Sequence, residues 1–305
     1  MKRFLLIALF LGVLCTAKTT YAADNVFVYR AGDVTIYRIA DRMGGMPESL
    51  LLGGDRQAIA QLLTEKTICP NMFVSFLLVR GNEKILIDSG YGEKNQGQTV
   101  AILKNLGIDP KEITEVLLTH MHRDHILGIF SSVNGKTVPT YPKATISIDE
   151  AEYRFWTDRK NATKAPANQA SCFESAELLT KLYANKIHLL KKDAMPVPWL
   201  RTISLPGHTE GHSGFALVAK DGKNYLFGGD FLHCLAVQSR YPDVTVPWDT
   251  DQDLAKMTRK SLLKKIAGTG TIVLGGHFPN PGAATFHTHP DGGYSYTFVQ
   301  PAATH

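Results

Sequence analysis

Apolar residues come along this chain in short runs bounded by turn-forming residues, with only a few stretches spaced for a helix. Val34–Ile39, Phe73–Val79 and Lys84–Ile87 are rich in β-branched and aromatic residues and predict strands, the last two joined as a hairpin through Arg80-Gly81-Asn82-Glu83. Gln98–Leu106 carries Val100, Leu103 and Leu106 at helical spacing and stops at Gly107. Ile113–Leu118 and Ala144–Ile148 predict strands, and Glu150–Trp156 opens a helix. Residues 158–172 are polar and alanine-rich and predict a long surface loop, followed by a helix over Ser175–Tyr183 and a strand over Lys186–Leu190. In the second half, Leu200–Leu205, Phe215–Ala219, Asn224–Phe227 and Thr271–Leu274 predict strands, and Asp251–Ile266 an amphipathic helix. Hairpins interspersed with helices, and no linker, predict one layered α/β domain with sheets inside and helices outside.

The start of the chain breaks this pattern. Met1-Lys2-Arg3 is basic, Phe4–Leu14 is apolar, and Thr20-Tyr21-Ala22-Ala23 supplies small residues. That order predicts a cleavable signal peptide over residues 1–22, with the mature domain at 23–305 in the periplasm or secreted. The apolar run is too short to span a bilayer, and Leu14 before Cys15 disfavours lipidation.

Charge adds little. The net +5 comes from 33 basic and 28 acidic residues. Lys2, Arg3 and Lys18 belong to the signal, which leaves the mature chain near +2 (30 against 28). A nearly neutral surface gives no reason to expect nucleic acid or an anionic membrane as partner. Cys69, Cys172 and Cys234 allow one disulfide in an oxidising compartment, with the pairing open. No short-spaced cysteine pair suggests a zinc–thiolate cluster.

Chemistry concentrates in Thr119-His120-Met121-His122-Arg123-Asp124-His125, placed where an apolar strand ends. Three imidazoles and a carboxylate in so short a span are poor core material, and mixed N and O donors suit Zn²⁺. His120 and His122 face one way in an extended turn, while Asp124 and His125, at the start of a helix, face a neighbouring position.

This His-x-His-x-Asp-His run resembles the signature of the metallo-β-lactamase superfamily, and the resemblance extends over the mature chain. It implies a four-layer αββα sandwich with two metal ions along one edge of the sheets. The later ligands it calls for fall in order: His208 in Pro206-Gly207-His208, Asp230 in Gly228-Gly229-Asp230, and His277 in Gly275-Gly276-His277. By that similarity His120, His122 and His208 hold one ion, Asp124, His125 and His277 the other, and Asp230 bridges them. The cofactor implied is two Zn²⁺, other divalent transition metals being alternatives. Two such ions acidify a shared water that attacks an electrophilic centre. Asp124 is then a candidate proton donor to the leaving group.

Asp88, in Ile87-Asp88-Ser89-Gly90, is a candidate partner for a ligating histidine. His212 has no slot in the ligand set and is expected to hydrogen-bond beneath the site. His233 is expected to be exposed or pocket-lining, and His287, His289 and His305 to lie in a C-terminal loop. Tyr153, Phe155 and Trp156 are expected in the core, and Phe231 and Phe278, beside ligands, are candidate pocket aromatics.

Within the superfamily the closest likeness is to methyl parathion hydrolase and its relatives, which also resemble the N-acyl-homoserine lactonases. It rests on residues 119–125, Glu152–Trp156, the Gly207–His212 segment, Ala236-Val237-Gln238 and Gly276-His277-Phe278-Pro279. Arg123, where relatives commonly have proline, and Phe231–Cys234 depart from it. True β-lactamases generally lack the histidine after the aspartate, glyoxalase II adds a helical domain after the last ligand, and the nuclease branches are intracellular or carry added domains. The resemblance implies hydrolysis of a lactone or aryl ester, with phosphotriesters as a side activity. The alternatives are an exported zinc β-lactamase and a non-catalytic metal sensor. A small-molecule substrate is the expected partner, and the oligomeric state, a homodimer included, stays open.

Overall fold

The structure, a computed structural model, describes residues 25–63, 68–165 and 169–303. The proposed signal segment therefore lies outside the described residues, as does His305. The chain begins with β1 (Val26–Ala31), which turns back into β2 (Val34–Pro47); α1 (Arg56–Leu62) then leads to β3 (Ile68–Arg80). β4 (Glu83–Ile87), α2 (Thr99–Asn105), β5 (Glu115–Leu117) and the short α3 (Arg123–Ile126) follow. After the small hairpin β6 (Phe130–Val133) and β7 (Lys136–Pro139) come β8 (Thr145–Asp149), α4 (Glu150–Thr157), α5 (Arg159–Ala162), α6 (Ala170–Leu182) and β9 (Ile187–Leu190). The second half runs β10 (Arg201–Ser204), β11 (Ser213–Val218), β12 (Asn224–Phe227), α7 (Leu235–Arg240), α8 (Gln252–Ile266) and β13 (Ile272–Leu274). It ends in the hairpin β14 (Ala283–Thr288) and β15 (Tyr294–Phe298).

Two sheets result, ordered β1-β2-β3-β4-β5-β8-β9 and β10-β11-β12-β13-β14-β15. β4, β5, β8 and β9 pair in parallel, as do β12 and β13, while the remaining pairs of the two sheets are antiparallel. Side chains alternate across each strand, so β3 sends Phe76 and Leu78 to one face and Leu77 to the other, and all three are buried. Ile36, Val74 and Phe76 of the first sheet pack against Phe215, Phe227 and Leu274 of the second. The Phe76 and Phe227 rings meet edge to face at 5.2 Å. On the outer face of the first sheet, Val116 and Ile146 pack with Ile102 and Leu103 of α2, Trp156 of α4 and Leu179 of α6. Leu226 and Val273 of the second sheet pack with Leu262, Leu263 and Ile266 of α8. The layers are therefore helix, sheet, sheet, helix, as the resemblance implies. Among the described residues no helix is long and apolar enough to cross a membrane.

The caps agree with the sequence. Asp149 accepts from the amides of Ala151 and Glu152 at the start of α4, and Asp251 from Leu254 at the start of α8. Other expectations need correction. The stretch 158–172 holds α5 and the start of α6, whose Cys172 and Phe173 are buried on a face the polar neighbours conceal. The segment after His277 is a paired hairpin, with His287 on β14 and His289 in its turn. β2 also runs past its predicted end, through a bulge at Asp41. The buried Asp41 carboxylate accepts from the amides of Tyr91 (2.8 Å) and Thr99 (2.9 Å) and from the Thr99 hydroxyl (2.7 Å). That anchors the loop from Asp88 to α2 beside the edge where the histidines gather.

Candidate metal centre

Each candidate ligand stands just beyond the C-terminal end of a strand. His120 follows β5, His208 follows β10, Asp230 follows β12 and His277 follows β13, while Asp124 and His125 sit in α3. All the residues expected from sequence come together. His120, His122 and His208 form one group with donor atoms within 4.8 Å of one another, and Asp124, His125, Asp230 and His277 form a second. Asp230 touches both: Oδ2 lies 3.6 Å from His120 Nε2, 3.4 Å from His208 Nε2 and 2.8 Å from His277 Nε2, and Oδ1 lies 3.3 Å from His125 Nε2. His122 Nδ1 and His208 Nε2 are 2.9 Å apart.

The far nitrogens of these rings fix which lone pair points inward. His125 Nδ1 donates to Asp88 Oδ2 and His208 Nδ1 to Asp249 Oδ1, both at 2.8 Å. His277 Nδ1 donates to the Met72 carbonyl (2.7 Å) and lies 2.9 Å from Asn71 Oδ1. Thr119 Oγ1, which donates to Asp88 Oδ2, accepts from His120 Nδ1 at 3.0 Å. In each of these four cases an acceptor holds a proton on Nδ1 and turns Nε2 toward the cluster, the outer arrangement metal-binding histidines use. His120 Nε2, His125 Nε2 and Asp230 Oδ1 are buried and have no hydrogen-bond partner. Buried polar atoms ordinarily find one. Buried nitrogens and oxygens aimed together without partners are what a divalent cation satisfies, and the N and O donor set suits zinc.

The electrostatics divide the cluster. Burial, with the neighbouring His125, holds His120 well below the ordinary imidazole range, and burial with His208 does the same to His122. Burial works against the ionised carboxylate of Asp230, but His125 and His277 overcome it and hold Asp230 well below the carboxylate range. At His125 burial is likewise outweighed, here by Asp230, Asp124 and Asp88, which push it up. His120 and His122 are thus held neutral, the form that takes up a cation, whereas the carboxylates hold His125, His208 and His277 protonated, so a cation binding there would displace protons.

The floor formed by these residues opens into a cavity of about 540 Å³ lined by Met43, Met46, Phe73, Tyr91, Arg123 and Trp248, among others. Burial, with the Asp124 charge, pushes the Tyr91 phenol up to about 12, so it keeps its proton. Phe231 and Phe278 do not line this cavity; they pack into the core beneath α8, because their strand ends turn them inward.

The sequence profile of the Metallo-beta-lactamase superfamily matches residues 72–277, more than half of the chain. The chain belongs to that superfamily. Among solved structures, this superfamily hydrolase is similar to hydrolase AbOPH of the beta lactamase superfamily, at 26% identity over 93% of this chain and 100% of that one, with a TM-score of 0.82. AidC, a dizinc quorum-quenching lactonase seen with the product N-hexanoyl-L-homoserine, is 21% identical over 92% and 99% of the two chains, with a TM-score of 0.81. A quorum-quenching N-acyl homoserine lactone lactonase is 20% identical over 83% and 93%, with a TM-score of 0.56. No curated protein matches the chain significantly. The fold and these relatives make it a metal-dependent hydrolase.

Some residues of the hydrolase stand where sequence alone did not put them. His233 lines the pocket, one of its two expected places, but is not exposed: it is 1% accessible, groups its donor atom with those of His208 and Asp230, and its Nε2, 3.3 Å from Asp230 Oδ2, accepts from Trp248 Nε1 at 2.7 Å. The cause is a loop pinned from three sides. Gln238 Oε1 accepts from the amides of His233 and Cys234, Asn71 donates to the His233 carbonyl, and Cys234 is in a disulfide with Cys69. His212, by contrast, lies where expected, buried beneath the site, where its Nδ1 donates to the Leu205 carbonyl and its Nε2 accepts from the Asp230 amide, both at 2.9 Å. Asp249 has no local mark in the sequence, because its partner His208 is 41 residues away.

Proposed function

We propose that this chain is an exported dinuclear-zinc hydrolase that opens a small neutral ester-like substrate, a lactone or an aryl ester, with phosphotriester hydrolysis as a side activity. The observation that carries the reading is the convergence of seven candidate ligands, four of their five imidazoles oriented by an outer acceptor on Nδ1, beside a largely apolar pocket. His120, His122 and His208 would hold one zinc, Asp124, His125 and His277 the other, and Asp230 both. Bound zinc would supply an acidified water and polarise the carbonyl under attack.

The protein's own groups do the rest. Met43, Met46, Phe73 and Trp248 take up an apolar acyl or aryl group and exclude water from it. Tyr91, kept protonated in the same pocket, can donate to an oxygen that gains charge. Both Asp124 and Asp230 line the pocket, and Asp124 is the more accessible, 14% against 2%. Held ionised by His125 and His277, Asp124 can relay to the leaving oxygen a proton that it first takes from the attacking water. Two relatives whose structures hold N-hexanoyl-L-homoserine support an acylated lactone as the substrate class. The basic, apolar and small segments of residues 1–22 and the Cys69–Cys234 disulfide support export to an oxidising compartment.

The test is proton release by the zinc-loaded chain from Ala23 on an N-acyl-homoserine lactone, with an aryl ester, a phosphotriester and nitrocefin alongside. Asp230→Asn and His120→Ala should cut turnover by orders of magnitude while the circular dichroism spectrum stays unchanged. Wild-type rates in either variant would overturn the mechanism. Nitrocefin turnover alone would make the protein a β-lactamase.

A further inference from the structure

We infer that Glu152, a member of neither candidate ligand group, is the positioning residue that straps together the two loops of the His120, His122 and His208 position. The inference rests on the metal-centre reading above. Glu152 lies in the first turn of α4 and is completely buried. Its Oε1 accepts from the Met121 amide at 2.8 Å and from Trp156 Nε1 at 2.7 Å, and its Oε2 accepts from the Gly211 amide at 2.9 Å. Met121 stands between His120 and His122, and Gly211 closes the turn that carries His208. One carboxylate therefore grips the loop after β5 with one oxygen and the loop between β10 and β11 with the other. The two loops leave different sheets, and the ring nitrogens they bring together, His122 Nδ1 and His208 Nε2, end 2.9 Å apart.

The residue type follows from the donors. Three N–H groups converge on Glu152, and only a group with two acceptor oxygens and no donor of its own satisfies them all. A glutamine would turn its NH₂ either on Gly211 or on Met121 and Trp156, and a buried donor facing a donor is costly. Gly211 supports the same contact, since a Cβ there would run into the backbone nitrogen of Glu152. The strap thus needs both a carboxylate on α4 and a glycine on the His208 loop.

The experiment is zinc stoichiometry and affinity by chelator competition for wild type, Glu152→Gln, Gly211→Ala and Trp156→Phe, with circular dichroism to confirm folding. Wild type should bind two zinc ions. Glu152→Gln and Gly211→Ala should each weaken one of them about 10–100-fold, the usual effect of losing an outer partner, and leave the other unchanged. Trp156→Phe removes one donor but leaves both loops on the carboxylate, so it should lower thermal stability and keep both affinities. Wild-type affinity at both positions in Glu152→Gln would overturn the strap, as would an equal loss in Trp156→Phe. Should Glu152→Gln fail to fold, undiminished zinc binding by Gly211→Ala would overturn the strap equally. A wild type that binds no zinc would overturn the metal centre itself, and this inference with it.

Discussion

Reduction of the Cys69–Cys234 disulfide should destabilise the protein by several kcal/mol. The bond joins residues 165 apart in sequence. For a loop of that length the chain-entropy relation gives about 5 kcal/mol at 25 °C, at the top of the range that disulfides deliver. Both sulfurs lie among Met46, Leu51, Val237, Val244 and Val246, a cluster that reduced thiols would still occupy. The loss should therefore come from the freed unfolded chain rather than from a broken core. For a domain of this size each kcal/mol shifts the melting temperature by about 2–4 °C, so reduction should lower it by roughly 10 °C or more. The assay is urea and thermal unfolding with and without a reducing agent, beside Cys69→Ser/Cys234→Ser. Cys172→Ala should keep the full redox dependence, because Cys172 is buried separately in the cluster under α4 and α6. A difference below about 0.5 kcal/mol between oxidised and reduced protein would refute the chain-entropy argument, since that relation predicts about ten times more.

Other perturbations have equally definite outcomes. Asp88→Asn places an amide where Oδ1 and Oδ2 accept from Thr119 and His125. If the NH₂ takes the Oδ2 place, His125 Nδ1 must give up its proton to accept, Nε2 carries it instead, and zinc at the Asp124, His125 and His277 position should weaken about 10–100-fold; unchanged affinity in chelator competition would sink this. Burial pushes Glu115 up from 4.5 to about 7, with Ser147 donating to it and opposing the shift. The native state then keeps a proton that the unfolded chain has lost between pH 4.5 and 7, so stability falls as pH rises through that window. The shift corresponds to about 3 kcal/mol at most, and about 2 after allowing for partial exposure of the side chain. Glu115→Gln should gain that much on wild type between pH 4.5 and 8, and parallel urea midpoints across the range would contradict it.

How much of this is legible in sequence depends on how local each signal is. A layered α/β domain can be read because apolar runs buried on both faces, as in Phe76-Leu77-Leu78, look the same wherever they end up, while the four-layer αββα order comes from the resemblance. His120, His122, Asp124 and His125 can be read because they stand in one compact motif after an apolar strand, and His208, Asp230 and His277, each after a glycine, are reached through the resemblance. α6 begins earlier than its sequence suggests because Ala170 and Ser171 look like loop residues until Cys172 and Phe173 find the core. His233 defeats the sequence because burial on an irregular loop leaves no periodicity to detect.

By itself, then, the sequence determined the central strands and the main helices and, with the resemblance, the layering and the candidate ligands, because these depend on local spacing and side-chain chemistry. The tertiary structure decided which groups serve them. His208 takes Asp249, His277 takes Met72 and Asn71 across more than 200 residues, Glu152 takes Met121 and Gly211, and Cys69 takes Cys234 rather than Cys172. A buried polar group must pair with whatever the packing of two sheets brings within hydrogen-bond reach, and that proximity has no trace along the chain.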